Sequence, residues 1–197
     1  TSITVNTSSG PLEAEIYSTD LSGMPTYLIS GEPISRVDEV YGVDFRSDAE
    51  KFIFFSLACL RLPSMINWPL DILHANDWHT AIAVHQLRTS KLHDPFLQNT
   101  KTVLTLHNLP FMGTGSEEAL AKFHIKPSRN KNLPSWGREL PLPMGLAAAD
   151  QIVAVSPTYA NEIMTHEFGC DLEGFLSTRK SHISGILNGL DTKSWDP

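Results

Sequence analysis

Leu70-Asp71-Ile72-Leu73-His74-Ala75-Asn76-Asp77-Trp78-His79 decides the fold. Leu70 to Ala75 is a short, largely apolar run that reads as a strand, and Asp77 then stands where a helix N-cap belongs, opening a helix through about Arg88. The unit recurs. Lys101 to Leu106 is a second strand, rich in the β-branched and aliphatic residues that suit a sheet buried on both faces. Gln151 to Val155 is a third, followed by Ser156-Pro157, a hydroxyl cap with proline at the first helical position. A fourth, about Ile183 to Leu187, follows a short helical pattern near Asp171 to Leu176. Strands alternating with helices pair in parallel through right-handed crossovers, so the expected class is α/β, a Rossmann-like parallel sheet with flanking helices.

Working outward, Ser47-Asp48-Ala49-Glu50 has the spacing of a capping box, and Phe52, Phe55, Cys59 and Leu62 then recur at helical spacing until Pro63. Further upstream the texture changes. Glu13 to Tyr17 and Pro25 to Ser30 are strand-like and flank the turn-rich Asp20-Leu21-Ser22-Gly23, which predicts an antiparallel hairpin near the N-terminus. A polar, proline-bearing stretch from about Phe111 to Pro143 interrupts the alternation, with one short helix expected near Glu117 to Phe123 and another at Leu146 to Ala149. Insertions of that length are more often functional than decorative.

The 197 residues suffice for a full core, and 41% hydrophobic with 19% charged residues describes an ordinary globular chain. No apolar run is long enough for a membrane-spanning helix, so no membrane partner is expected. With 22 acidic against 15 basic residues the formal net charge is −7, which argues against a nucleic-acid partner. Cys59 and Cys170 follow no metal-ligand or redox spacing and are expected as core or neutral residues of a reducing compartment.

In an open parallel sheet, ligands bind beyond the carboxyl ends of the strands. There the sequence collects His74, Asn76, Asp77, Trp78 and His79, then His107-Asn108, then Ser156, then Asn188-Gly189-Leu190-Asp191. Ser156 is read as a cap; Asp77 is either a cap or a ligand, and the two roles can coexist. Trp78 is a packing anchor or, if exposed, a platform for a sugar face. His74, Asp77 and His79 lack the spacing of a closed metal site, and neither a metal nor a cofactor is expected. His85, His93, His124, His166 and His182 have no matching partners and are assigned to surface or packing. No dinucleotide fingerprint, phosphate loop or nucleophile elbow occurs, and Gly113-Thr114-Gly115 is too short for a phosphate loop.

At these residues the chain resembles a known family. Asp71 to His79, Thr105-Leu106-His107-Asn108-Leu109, Ala149-Asp150 through Ala160, Glu167 to Gly174 and Gly185-Ile186-Leu187-Asn188-Gly189-Leu190-Asp191 resemble, in order and spacing, the successive motifs of bacterial glycogen synthases and plant starch synthases. The segment from Val40-Tyr41-Gly42 to Phe52 resembles the region before them. The resemblance implies a GT-B glycosyltransferase that moves glucose from ADP-glucose or UDP-glucose to the nonreducing end of an α-1,4-glucan with retention. It also implies that residues 1–197 are a truncated N-terminal, acceptor-side domain, with 188–197 starting the interdomain linker. The family's Lys-x-Gly-Gly-Leu loop and nucleotide-binding domain are absent from this sequence, so the isolated chain is expected to be inactive. The partners are then an α-glucan acceptor and a nucleotide-sugar donor held by the absent domain, and the location bacterial cytoplasm or a plastid.

By matching position, His107 and Asp77 are expected at the reaction centre, His107 through its backbone carbonyl, with His79, Asn108 and Asn188 binding sugar. Carboxylate and amide groups suit paired hydroxyls, and oriented dipoles around a developing oxocarbenium are electrostatic catalysis. Asn76 stands where the family usually has a histidine, Phe45 where it has a tyrosine, and Leu109-Pro110-Phe111-Met112 departs from its usual continuation. Two other readings remain open: half of another GT-B sugar transferase, such as a sucrose synthase relative, and a noncatalytic glucan-binding or regulatory module.

Overall fold

The computed structural model describes residues 1–36, 38–42, 44–89 and 94–196. His93 therefore lies outside the described residues. Two sheets organise the chain. The first is a three-stranded antiparallel meander of β1 (Ser2–Thr7), β2 (Gly10–Leu21) and β3 (Met24–Gly31), in that order. The expected hairpin is its second half. Ser22 and Gly23 both have positive φ, 54° and 82°, which is the primed turn that matches strand twist, and Asp20 accepts the Gly23 amide at 2.7 Å. Ile3, Val5, Ala14 and Ile16 point to one face and are buried, so the meander is half solvated. The alternation of Ile3 and Val5 with polar neighbours marks β1, which the sequence reading passed over.

The second sheet is parallel and lies in chain order: β4 (Ile72–Asn76), β5 (Lys101–Leu106), β6 (Gln151–Ala154) and β7 (Ile183–Gly185). Between them run α4 (Asp77–Thr89), then α5 (Glu117–Lys122) and α6 (Pro141–Ala148), then α7 (Pro157–Glu162) and α8 (Glu173–Thr178). Before them come α1 (Glu32–Ser35), α2 (Phe45–Cys59) and α3 (Leu62–Met65). His74 does not sit in a strand buried on both faces. Ile72, His74 and Asn76 alternate outward on an exposed face of β4, the edge strand among those described.

Two helix starts differ from expectation. Asp44, not Ser47, caps α2 by accepting the Arg46 amide at 3.1 Å, because the helix begins three residues earlier. Ser47 then donates to Asp44 from inside the first turn, and Glu50 bridges Arg36 and Lys122 at 2.9 and 2.6 Å instead of closing a box. Pro63 does not end α2, which stops at Cys59; it sits in the first turn of α3, where a missing amide costs nothing. Ser156 does cap α7, accepting the Tyr159 amide at 2.8 Å.

The core has two main parts. Leu104, Leu106, Leu142, Leu146, Ile152 and Ile163 fill the space over the parallel sheet, while Ile53, Phe54, Ala58 and Phe123 join α2 and α5 to the meander. α4 lies between α2 and α6, and Ile82 and Met144 carry packing from the one part to the other. At the crossing of α4 with α6, a Cβ on Gly145 would stand 2.6 Å from the Ala81 Cβ and 2.9 Å from its carbonyl oxygen. Backbone cannot move aside as a side-chain tip can. Gly145→Ala is therefore expected to destabilise the chain by about 1–3 kcal/mol despite the better helix propensity of alanine, with urea denaturation as the measurement. Unchanged or higher stability would mean that the crossing is looser than described.

Candidate active site

The site is built where β4 and β5 end side by side. Asp77, the first residue of α4, holds a left-handed backbone with φ 51°. It does not cap its own helix. Its carboxylate instead accepts the His107 amide at 2.7 Å and, more weakly, the Asn108 amide at 3.4 Å. These are donors that the end of β5 leaves without a strand partner. The Asn76 amide and carbonyl both meet the Thr80 hydroxyl, at 2.6 and 2.8 Å, which fixes the turn that aims Asp77 sideways.

His107 is held a second time. Its Nε2 lies 3.0 Å from the Asn76 Oδ1, and since an amide oxygen only accepts, this arrangement assigns the proton to Nε2 and leaves Nδ1 as the acceptor. The Tyr159 hydroxyl accepts the Leu109 amide at 2.9 Å. Three consecutive amides, those of His107, Asn108 and Leu109, are thus tied to side chains of α4 and α7. Among the described residues no donor reaches the His107 carbonyl oxygen, so the loop presents that oxygen unpaired.

Beside this loop opens a groove of about 440 Å³, lined by Tyr41, Phe45, Asp77, His79, Asn108 and Phe111. Tyr41, Phe45 and Phe111 are 57%, 69% and 60% exposed, which puts three aromatic faces on its walls. Trp78 is buried and packs edge-on to Phe52 at 5.1 Å, so its role is the packing one. His79 stacks against the same cluster, 4.6 Å from Phe52 and 5.5 Å from Tyr41. Its Nε2 is buried with no hydrogen-bond partner among the described residues. Burial lowers the His79 pKa below 6.5 against the opposing pull of Asp77 and Asp48, so the ring is neutral at neutral pH.

The structure thus gathers Asp77, His79 and Asn108 around one groove, with His107 tied to it through Asp77. Asn188 follows β7 and lies at the same edge of the sheet as His107, but β6 separates their strands by roughly 10 Å, and Asn188 is exposed outside the groove. Among the described residues no group of three or more His, Cys, Asp or Glu side chains is placed to hold a metal ion. His74 donates to or accepts from the Thr105 hydroxyl at 2.6 Å, away from Asp77. Of the remaining histidines, His85 is buried against the Lys126 carbonyl and His182 meets the Asp150 carbonyl. His166 does have a partner, Glu173 at 3.1 Å, which lifts its pKa above 6.5. Burial pushes the Cys59 thiol up to about 12, in keeping with an unreactive residue.

The sequence reading missed what holds the groove's outer wall. Asp48, on α2, is buried and accepts the Gly42 amide through both oxygens, at 2.9 and 3.1 Å. Lys51, one turn on and also buried, stands 3.4 Å from Asp48 and donates to the Glu39 and Val40 carbonyls at 3.1 Å each. Together they pin the segment that carries Tyr41. Two charged residues inside an amphipathic helix read as solvated, so no signal in the sequence revealed them.

A family model, "Starch synthase catalytic domain", matches residues 1–178. The chain belongs to that family. Among its relatives, a glycogen synthase of Thermodesulfovibrio yellowstonii is 39% identical over 170 residues, covering 81% of this chain and 33% of that protein. A glycogen synthase of Bacillus licheniformis is 39% identical over 178 residues, covering 89% of this chain and 36% of that one. The chain therefore spans about a third of the length of the curated relatives it matches. In structure it resembles the catalytic domain of starch synthase IV from Arabidopsis thaliana bound to ADP and acarbose, with a TM-score of 0.84 and 26% identity over 99% of this chain and 41% of that one. The α/β class and the resemblance read from the motifs agree with both findings.

Two measurements check the site's electrostatics. Removing Lys51 leaves a buried carboxylate with one amide, so Lys51→Met is expected to cost about 3 kcal/mol in urea denaturation, and Lys51→Met with Asp48→Leu to recover much of it. No loss in the single variant would show the pair to be idle. In an NMR titration of the imidazoles, His79 and His85, both depressed by burial, should titrate below 6.5 and His166 above it. The unfolded chain then binds more protons than the folded one between those lowered values and 6.5, so the His79 and His85 contributions are present above 6.5 and fall away on acidification. The reverse order of midpoints would contradict the burial described.

Proposed function

We propose that residues 1–197 form the acceptor side of a glucan synthase that transfers glucose from ADP-glucose or UDP-glucose to the nonreducing end of an α-1,4-glucan with retention of configuration. The carrying observation is the loop His107-Asn108-Leu109, clamped by Asp77 and Tyr159 beside an aromatic groove. In such a transfer the bond from C1 of glucose to the diphosphate breaks, its electron pair leaves with the diphosphate, and the acceptor's 4-oxygen bonds to C1 on the same face while its proton passes to the departing diphosphate. Positive charge develops on C1 meanwhile. A carbonyl held in place before the reaction stabilises that charge without reorganising, and the unpaired His107 oxygen is the group available for this role.

Asp77 serves chiefly as a positioning residue, since its carboxylate is engaged by two backbone amides. Asn108 offers an amide to sugar hydroxyls, and Tyr41, Phe45 and Phe111 offer apolar faces to the pyranose rings; His79 borders the same groove, but its Nε2 is buried, so that nitrogen binds sugar only if the aromatic wall shifts to uncover it. Asn188 belongs to the same strand-end edge and opens segment 188–197, read as the start of an interdomain linker; it would reach sugar only from the far side of the cleft. The ADP and acarbose in the Arabidopsis structure favour a nucleotide sugar and an α-glucan as the two substrates. Diphosphate binding falls to a part of the protein outside these residues. No described helix is long and apolar enough to cross a membrane, and a cytoplasmic location is part of the same reading.

One experiment tests this. Calorimetric titration of the 197-residue chain with maltoheptaose is expected to give millimolar affinity, on the order of −4 kcal/mol, as a single open wall should. A glucosyl-transfer assay with ADP-glucose on the same sample should show no turnover. Asp77→Asn keeps the left-handed backbone that asparagine tolerates but removes the charge from the clamp. It should speed amide exchange at His107 and Asn108 and weaken maltoheptaose binding, at a stability loss of about 1–2 kcal/mol. Turnover by the chain alone, or binding indifferent to Asp77→Asn and to Tyr41→Ala, would refute the assignment.

A further inference from the structure

A second concave region lies away from the strand ends, along the C-terminal half of α4. One lobe, about 370 Å³, is lined by Gln86, Thr89, His124, Lys126, Pro127 and Arg129. An adjoining lobe of about 260 Å³ shares Gln86 and His124 and adds Arg61 and Asn6. No acidic side chain lines either lobe. Among the described residues, none of Arg61, Lys126 and Arg129 forms an ion pair. In a chain of net charge −7, Arg61, Lys126 and Arg129 thus line one concave region with no carboxylate beside them, a local patch opposite in sign to the chain as a whole.

The floor of the larger lobe is also rigid. Buried His85 holds the Lys126 carbonyl through Nε2 at 2.9 Å, and the Ser128 amide is bound by the Arg138 carbonyl at 2.8 Å. His124 closes α5 in a left-handed conformation, φ 56°, with its amide on the Ala121 carbonyl at 3.1 Å and the Ile125 amide on the Leu120 carbonyl at 2.8 Å. That pair of bonds is the terminator in which glycine is the unstrained choice. A glycine would serve the turn, yet an imidazole stands there and lines both lobes, which points from a strained backbone position to a role for the side chain.

We propose that this groove binds a phosphate group, either free or carried on a small metabolite. A guanidinium offers a planar pair of donors to phosphate oxygens, an ammonium a compact charge, and the Gln86 and Thr89 side chains border them with neutral polar groups. The proposal is independent of the glucan reading, because none of these residues belongs to the aromatic groove.

The test is an NMR titration of the isotope-labelled chain with inorganic phosphate and, separately, with glycerol 3-phosphate, using chloride at matched ionic strength as the control. Saturable shifts confined to the amides of Gln86, Thr89 and 124–129 are expected with phosphate probes and not with chloride. Tighter binding of glycerol 3-phosphate would assign the site to a phosphate ester, and equal binding to the free ion. Lys126→Ala with Arg129→Ala should weaken the interaction about tenfold or more, and Lys126→Arg should retain it. Both side chains are exposed, so an unchanged melting temperature is expected alongside. Shifts that chloride reproduces, or that survive the double variant, would overturn the proposal.

Discussion

Everything at the strand ends depends on one carboxylate facing sideways. Asp77 begins α4, yet its oxygens serve the neighbouring strand's exit loop, so the helix that follows β4 and the loop that follows β5 are locked as one piece. A charged acceptor on backbone amides is among the stronger neutral-to-ionic contacts a protein makes in partial exposure. The left-handed φ at Asp77 is a local strain that this contact offsets. The Asn76 side chain then sets the His107 tautomer, and the Tyr159 hydroxyl extends the clamp to Leu109. Remove the first bond and the other two hold a loop with no fixed origin.

Farther out, the groove depends on a different kind of contact. Asp48 and Lys51 carry opposite charges into the interior and use them on the backbone of the 39–42 segment, which would otherwise have no regular secondary structure to satisfy its amide and carbonyls. The aromatic cluster of Phe52, Trp78 and His79 closes the gap between α2 and the start of α4. Polar anchoring thus places the wall, and aromatic packing joins it to the start of α4, whose Asp77 holds the 107–109 loop.

These two levels explain what could be read from the residues. The parallel strands were legible because Lys101–Leu106 and Gln151–Ala154 are apolar and β-branched between clear breakers, and the Ser156-Pro157 cap because its chemistry is local. The α2 start was misplaced because Asp44 and Ser47 can both cap, and only tertiary packing selects between them. The expected outcome for Pro63 failed for a related reason: a proline stops one helix or opens another, and the sequence does not say which. Motif matching picked out Asp77, His79, His107 and Asn108, but the direction of the Asp77 carboxylate is a consequence of its backbone angle, which no pattern of residue types encodes. Tyr159 and Lys51 act across roughly 50 and 11 residues of chain, and contacts of that span leave no periodic trace.

The parallel sheet, finally, has its strands side by side in the order in which the chain presents them. Every new strand therefore finds its neighbour already made, and assembly can advance like a zipper from β4 to β7 without waiting for a distant segment. The crossover from β5 to β6 is nearly twice as long as that from β4 to β5, but closing a loop of doubled length costs only about 0.6 kcal/mol more. Parallel pairing is slow because each contact must wait for a crossover to close, and this strand order keeps the sequence separation of partners as low as such a sheet allows. An insertion such as the one that bears Phe111 can thus furnish a groove wall at little cost to the stability of the sheet behind it.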